Sequence, residues 1–258
     1  MSDFRFTRPD GFPPIVKNLI IINALVFIAQ LTLANRFPIT EWFMLWPIMP
    51  DQLHKLLVES GALEAGQQFK PYQIVTHMFS HSPSTFFHIL FNMFTLWMFG
   101  RVLENVWGGE RFLFFYLASG LGAAALHLGM QYVRCEELLS FFQVNNYKAI
   151  QDNIGAISPA LGASGAVMGV MAAFAYLFPN TELFIMFIPV PVKAKWAMLG
   201  LAAIDLFGGV TSITGDNIAH FAHLGGAITG FLFPNFTNQI QSATYPSSPK
   251  NTEPSSFS

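Results

Sequence analysis

The chain has 258 residues, 52% of them hydrophobic and 11% charged, with a formal net charge of -2 at neutral pH. Soluble domains carry about a quarter charged residues, so this composition points to an integral membrane protein. With Lys and Arg unclustered, there is neither a basic face for nucleic acid nor a polybasic lipid-binding segment. Cys135 is the one cysteine, which excludes an intrachain disulfide and cysteine-rich metal sites.

The predicted elements are all helical. The first apolar run covers 15–34, about the 20 residues that a bilayer crossing needs. It lacks the short apolar core and small-residue cleavage site of a signal peptide, so a retained span is expected after a short N-terminal segment, 1–14. A long stretch, 35–83, holds Glu41, Trp42, Trp46, Asp51, Lys55 and Gly61, with apolar patches too short to cross. Its tryptophans suit the membrane interface. Further spans are expected at 84–102, 111–132, 158–178, 192–210 and 216–234, divided by polar or Gly/Pro-containing breaks. Between the third and fourth lies Arg134-Cys135-Glu136-Glu137, then Leu138, Leu139, Phe141 and Phe142, which reads either as a surface helix or as a plain loop. The membrane domain is thus 15–234, and the polar tail 235–258 is too poor in apolar residues to fold. No solenoid-type repeat is visible.

Orientation follows from the basic residues near span ends. Arg5, Arg8, Lys17, Arg101, Arg111, Lys193 and Lys195 fall on one side of a six-span chain, whereas Arg36, Lys55, Lys70, Arg134 and Lys148 belong to long loops that count for less. Both termini are expected to be cytoplasmic, in a bacterial-type inner membrane. No sequence feature sets an oligomeric state.

Polar groups inside a span need a partner, a cavity or a reaction. His88 and Asn92 stand four apart on the second span and so share a helical face. On the fourth, Gly162 and Gly165 bracket Ser164, leaving its backbone open to close approach by a substrate chain, and Gly165 with Gly169 makes a small-x-x-x-small face. The sixth span carries His223 one turn before a second such face, Gly226 and Gly230. Matching glycine faces permit the fourth and sixth helices to approach closely, which would bring the Ser164 hydroxyl within hydrogen-bond reach of a His223 ring nitrogen. That is the minimum for an activated nucleophile. Taken singly, each residue is as well explained by helix packing; together they form an ordered set on three spans.

That set, His88-x-x-x-Asn92, Gly162-Ala163-Ser164-Gly165 and Ala222-His223-x-x-Gly226-x-x-x-Gly230, resembles the rhomboid family of intramembrane serine proteases, over a core of about residues 70 to 232. Thr76, Phe79, His81, Trp97, Gly100 and Glu104 match positions of the family whose usual roles are architectural. The resemblance implies an all-α, six-span bundle with a long interfacial loop between the first two spans. It implies a Ser164–His223 dyad without an acid, and oxyanion stabilisation by His88, Asn92 and the Ser164 backbone N–H. The reaction would be peptide hydrolysis through an acyl-enzyme, with transmembrane proteins in the lipid bilayer as substrates and no cofactor or metal. Three positions depart from the family: Met168 stands where a Phe or Tyr often packs on the catalytic imidazole, and Tyr72-Gln73 replaces a Trp-Arg pair.

Asp205 is a buried charge near Gly208 and Gly209 at the end of the fifth span, where capping or pairing across the bundle is expected; His220 is likewise read as structural. An aspartyl protease would need a second membrane aspartate, and a zinc protease would show His-Glu-x-x-His. The rival in another class is a catalytically inactive rhomboid-like protein that binds transmembrane clients. Retention of both Ser164 and His223 argues against it. A small transporter would call for inverted repeats, which are not apparent.

Overall fold

A computed structural model describes residues 11–184, 190–211 and 220–244. Most of the N-terminal segment, the start of the expected sixth span at 216–219 and the tail beyond 244 lie outside these residues. Helix α1 (Pro14–Leu33) opens with Pro at its first position, where the missing N–H costs nothing. The orphan amides of its first turn meet the Glu104 carboxylate, which accepts from Ile15 N–H at 2.9 Å and Val16 N–H at 2.8 Å. The connection to the next long helix holds α2 (Ile39–Phe43), α3 (Asp51–Glu59), α4 (Gln73–Thr76) and a 3-10 turn at His77–Phe79. Helix α5 (Phe86–Thr95) continues through a π-turn at Leu96–Gly100 into α6 (Arg101–Trp107).

Helix α7 (Gly109–Gln143) has 35 residues, or about 50 Å at 1.5 Å per residue, more than a bilayer core is thick. The Arg134–Phe142 segment is therefore neither a separate surface helix nor a loop. It is the end of this helix, where Cys135, Leu138 and Leu139 pack on Leu53 and Leu57 of α3. After α8 (Tyr147–Asn153) come α9 (Ser164–Leu177), a short antiparallel pair β1 (Glu182–Leu183) and β2 (Val192–Lys193), α10 (Ala194–Thr211) and α11 (His220–Thr244). Helix α11 runs past 234, with Pro234 inside it.

Pro14–Leu33, Phe86–Trp107 and Gly109–Gln143 are each long and apolar enough to cross a membrane, while Ser164–Leu177 is apolar but shorter. The fourth helix begins at Ser164, not near 158, because the preceding residues are taken up by tertiary pairing. Leu45 and Ala160 form an antiparallel bridge through N–H to O distances of 2.7 and 3.0 Å, and Gly162 N–H donates to the His77 carbonyl at 2.9 Å. The short α9 sits centrally, with α7 and α11 against it. Large apolar side chains on α1 (Ile21, Leu25, Ile28) and α10 (Leu199, Ile204, Phe207) face outward, as lipid contact requires.

Candidate active site

Helices α9 and α11 meet through glycine. A Cβ on Gly226 would collide with the carbonyl oxygen of Gly165, and one on Gly230 with that of Gly169. On the other side of the seam a Cβ on Gly165 would stand 2.5 Å from Ala123 and 3.3 Å from the Ala222 carbonyl oxygen. At these glycines only backbone fits between the two helices, so the separation there is set by main-chain contact, which side-chain rotamers cannot adjust.

This close approach brings the Ser164 hydroxyl to 2.9 Å from Nε2 of His223. The Nδ1 of the same ring lies 3.0 Å from Oδ1 of Asp205 on α10, and Nδ1 of His220 lies 2.8 Å from that same oxygen. A carboxylate only accepts, so both Nδ1 atoms carry protons, and the neutral His223 ring presents Nε2 as acceptor to Ser164 O–H. The arrangement differs from the expectation of a histidine without an acid within reach, and of the two roles expected of Asp205, capping or pairing across the bundle, it shows the pairing. Asp205 is buried, and its carboxylate joins two imidazoles. Neither contact was legible in the motif because the acid comes from a different helix, 18 residues before His223. The readable signal was the Asp itself, a charge on an otherwise apolar span. Met168, where the resemblance places an aromatic, is buried with Ala172 and Ala227.

Ser164 is the first residue of α9, whose leading N–H groups have no partner within the helix and carry the positive end of its dipole. Gly162 just before it has φ +123°, a conformation that favours glycine. A Cβ there would stand 2.9 Å from His88 Nε2 and 3.5 Å from Ser164 Oγ. The space that Gly162 leaves empty is thus flanked by the serine hydroxyl and by a ring nitrogen. Ser82 N–H donates to His88 Nδ1 at 3.3 Å, so in the neutral ring Nε2 carries the proton and is a donor. Asn92 is buried, and its amide donates to the His88 carbonyl at 2.8 Å; the amide has a second N–H beyond that bond.

Behind His88 lies His81, edge-on at 5.2 Å between ring centroids. The His81 backbone is clamped by Gln30 of α1: Gln30 Oε1 accepts from His81 N–H at 3.0 Å, and Gln30 Nε2 donates to the His81 carbonyl at 2.9 Å. Gln30 is a second residue that motif reading missed, since a lone Gln on an apolar helix carries no spacing signal. His77, whose carbonyl holds Gly162, donates from Nδ1 to the Gln73 carbonyl at 2.9 Å. Burial lowers the His77 pKa to about 4, and burial with the neighbouring His88 lowers that of His81 to about 3. Both rings are neutral at pH 7. Among the described residues, no group of three or more His, Cys, Asp or Glu is arranged to hold a metal ion.

A helical membrane protein with a serine, a histidine and a carboxylate in line across three helices is the class that fold and site define. The family model described as a rhomboid domain matches residues 68–238, and the chain belongs to the rhomboid family. It is 31% identical over 160 residues to the mitochondrial Rhomboid protein 1 of Saccharomyces cerevisiae, covering 62% of this chain and 40% of that one. It is 29% identical over 201 residues to the human mitochondrial presenilin-associated rhomboid-like protein, covering 77% and 46%. With Rhomboid protease AarA of Providencia stuartii it shares 26% identity over 235 residues, covering 86% and 72%. The chain thus spans less than half the length of the two mitochondrial relatives. Because mitochondrial relatives stand beside a bacterial one, the expectation of a bacterial-type inner membrane narrows to the statement that this is a membrane protein.

Proposed function

We propose that the chain is an intramembrane serine endopeptidase that hydrolyses peptide bonds in or near transmembrane segments of membrane proteins, with Ser164 as nucleophile and His223 as general base. The observation that carries the reading is the 2.9 Å contact between Ser164 Oγ and His223 Nε2, within the reach that proton transfer needs. His223 Nε2 takes the hydroxyl proton as Ser164 Oγ attacks the scissile carbonyl carbon. The resulting oxyanion is stabilised by the Ser164 backbone N–H and the Nε2–H of His88, with Asn92 as a further donor, each worth about 3 kcal/mol in the transition state. Collapse breaks the C–N bond, and the proton on His223 passes to the leaving amine. Water, deprotonated by the same ring, then attacks the acyl carbon; the bond to Ser164 Oγ breaks, the proton on His223 returns to that oxygen, and the acyl group leaves as a carboxylic acid.

Six crossings with both termini on one side would use α1, α5 with α6, α7, the shorter α9, α10 and α11. The 14-residue α9 spans only about 21 Å, less than the bilayer core, and in this reading Ser164 at its start lies below the membrane surface, reached by water from the side of the 35–83 loop. The name of the Providencia relative, a protease, supports the same chemistry. The test is cleavage of a purified model transmembrane substrate in detergent. Cleavage by the wild-type chain that disappears in Ser164→Ala and in His223→Ala is the expected result, and cleavage unchanged in both removes the assignment. Client binding without any cleavage would favour the inactive, client-binding reading.

A further inference from the structure

The carboxylate on α10 has no place in a two-residue mechanism, yet the surroundings are built for it. Asp205 is 6% exposed, on a helix whose flanking residues Ile204, Leu206 and Phe207 face outward. A charge in such a place persists only when paired and hydrogen-bonded. His220 and His223 stand three apart on α11 and so share the face turned to α10; both donate to the same oxygen of Asp205. Gly208, one turn after Asp205, makes the arrangement possible, because a Cβ there would collide with the His220 ring. The carbonyl of the next residue, Gly209, accepts from Arg134 of α7 at 2.7 Å, which ties this end of α10 to the bundle.

We propose that Asp205 is the positioning residue of the His223 imidazole, so that the site works as a Ser164–His223–Asp205 triad with His220 holding the carboxylate from its other side. The proposal rests on the reading of Ser164 and His223 as the catalytic pair. Pairing for stability could use any donor beside the carboxylate, and His220 supplies one at 2.8 Å. The second contact goes to the one ring whose far nitrogen meets the serine, and it fixes that ring in the tautomer which leaves Nε2 free to accept. When Ser164 gives up its proton, His223 becomes an imidazolium between the tetrahedral oxygen and the anionic Asp205. The acid stays ionised throughout, and no proton reaches it.

The test compares wild type, Asp205→Asn, Asp205→Glu and His220→Gln, each purified in detergent and checked for fold by thermal melting. The readouts are the rate at which a fluorophosphonate labels Ser164 and the separate kcat and KM for a transmembrane substrate. Asp205→Asn is expected to lower kcat and the labelling rate by about 100-fold or more with KM unchanged, as loss of a triad acid does elsewhere. Asp205→Glu retains the charge and is expected to fall between the two, and His220→Gln to lose less than Asp205→Asn. A folded Asp205→Asn protein that labels and cleaves at the wild-type rate, its melting temperature alone reduced, overturns the proposal. If Asp205→Asn does not fold, wild-type labelling in both Asp205→Glu and His220→Gln overturns it equally. A wild-type protein that neither labels at Ser164 nor cleaves removes the underlying catalytic reading, and the triad with it.

Discussion

The seam between α9 and α11 and the shell around it are held by opposite means. At the seam Gly226 and Gly230 press on the carbonyls of Gly165 and Gly169, backbone on backbone, with no side chain at those contacts that could yield. In the shell, α10 turns Asp205, Gly208 and Gly209 inward and its large apolar residues outward. The loop before α5 is likewise fastened by Gln30, His77 and single backbone hydrogen bonds. Packing of the first kind sets a distance and is unforgiving; bonding of the second kind sets a direction and depends on charge and protonation. Ser164 and His223 owe their separation to the seam, whereas the orientation of each ring around them, His223 by Asp205 and His88 by Ser82, comes from the shell.

The contrast can be broken first at the seam. Gly226→Ala drives a Cβ into the Gly165 carbonyl, and because backbone cannot rotate away the helices must part; a loss of about 3 kcal/mol or more is expected in thermal or chaotrope unfolding, together with peptidase activity. Unaltered stability would mean that the seam is not tight.

The shell is expected to respond to pH as the seam does not. The unfolded chain protonates its histidines near 6.5, while buried His77 resists until about 4. Stability from this ring is therefore complete above pH 6.5 and is lost as pH falls toward 4, by up to about 3 kcal/mol for a shift of that size. Melting temperature against pH, compared with His77→Gln, measures it: the variant should show a shallower decline. Gln30→Leu leaves the buried His81 N–H and carbonyl without partners. It is expected to cost about 2 kcal/mol, read by the same melts.

The smallest effect on stability sharpens the comparison most. Gly208→Ala adds the same methyl group as Gly226→Ala, but against the tip of the His220 side chain, which can turn aside. About 1 kcal/mol is expected in stability, with a fall in kcat that exceeds it proportionally as the Asp205 carboxylate loses one donor. Equal destabilisation by the two alanines would erase the distinction between seam and shell.

The same distinction decides what could be read from the chain. Gly165 with Gly169 and Gly226 with Gly230 are local patterns, four residues apart on single helices, so their faces and the residues one turn away could be named from spacing alone. The ordered polar set on three spans was legible for the same reason, and so was the all-helical membrane class. Asp205 was visible as a misplaced charge, but its partners lie on α11, across a connection whose geometry no spacing encodes. The start of α9 at Ser164 depended on Ala160 pairing with Leu45 and on Gly162 bonding His77, contacts between distant segments. The unbroken run of α7 to Gln143 depended on α3 lying against its polar-flanked end.

The central claim is that His223 activates Ser164 across the glycine seam. Mass-spectrometric mapping of a fluorophosphonate adduct on the purified, folded protein tests it most directly. A single adduct on Ser164 in the wild type, absent in His223→Ala, is the predicted result. An adduct on another serine, or labelling of Ser164 at the same rate without His223, would contradict it.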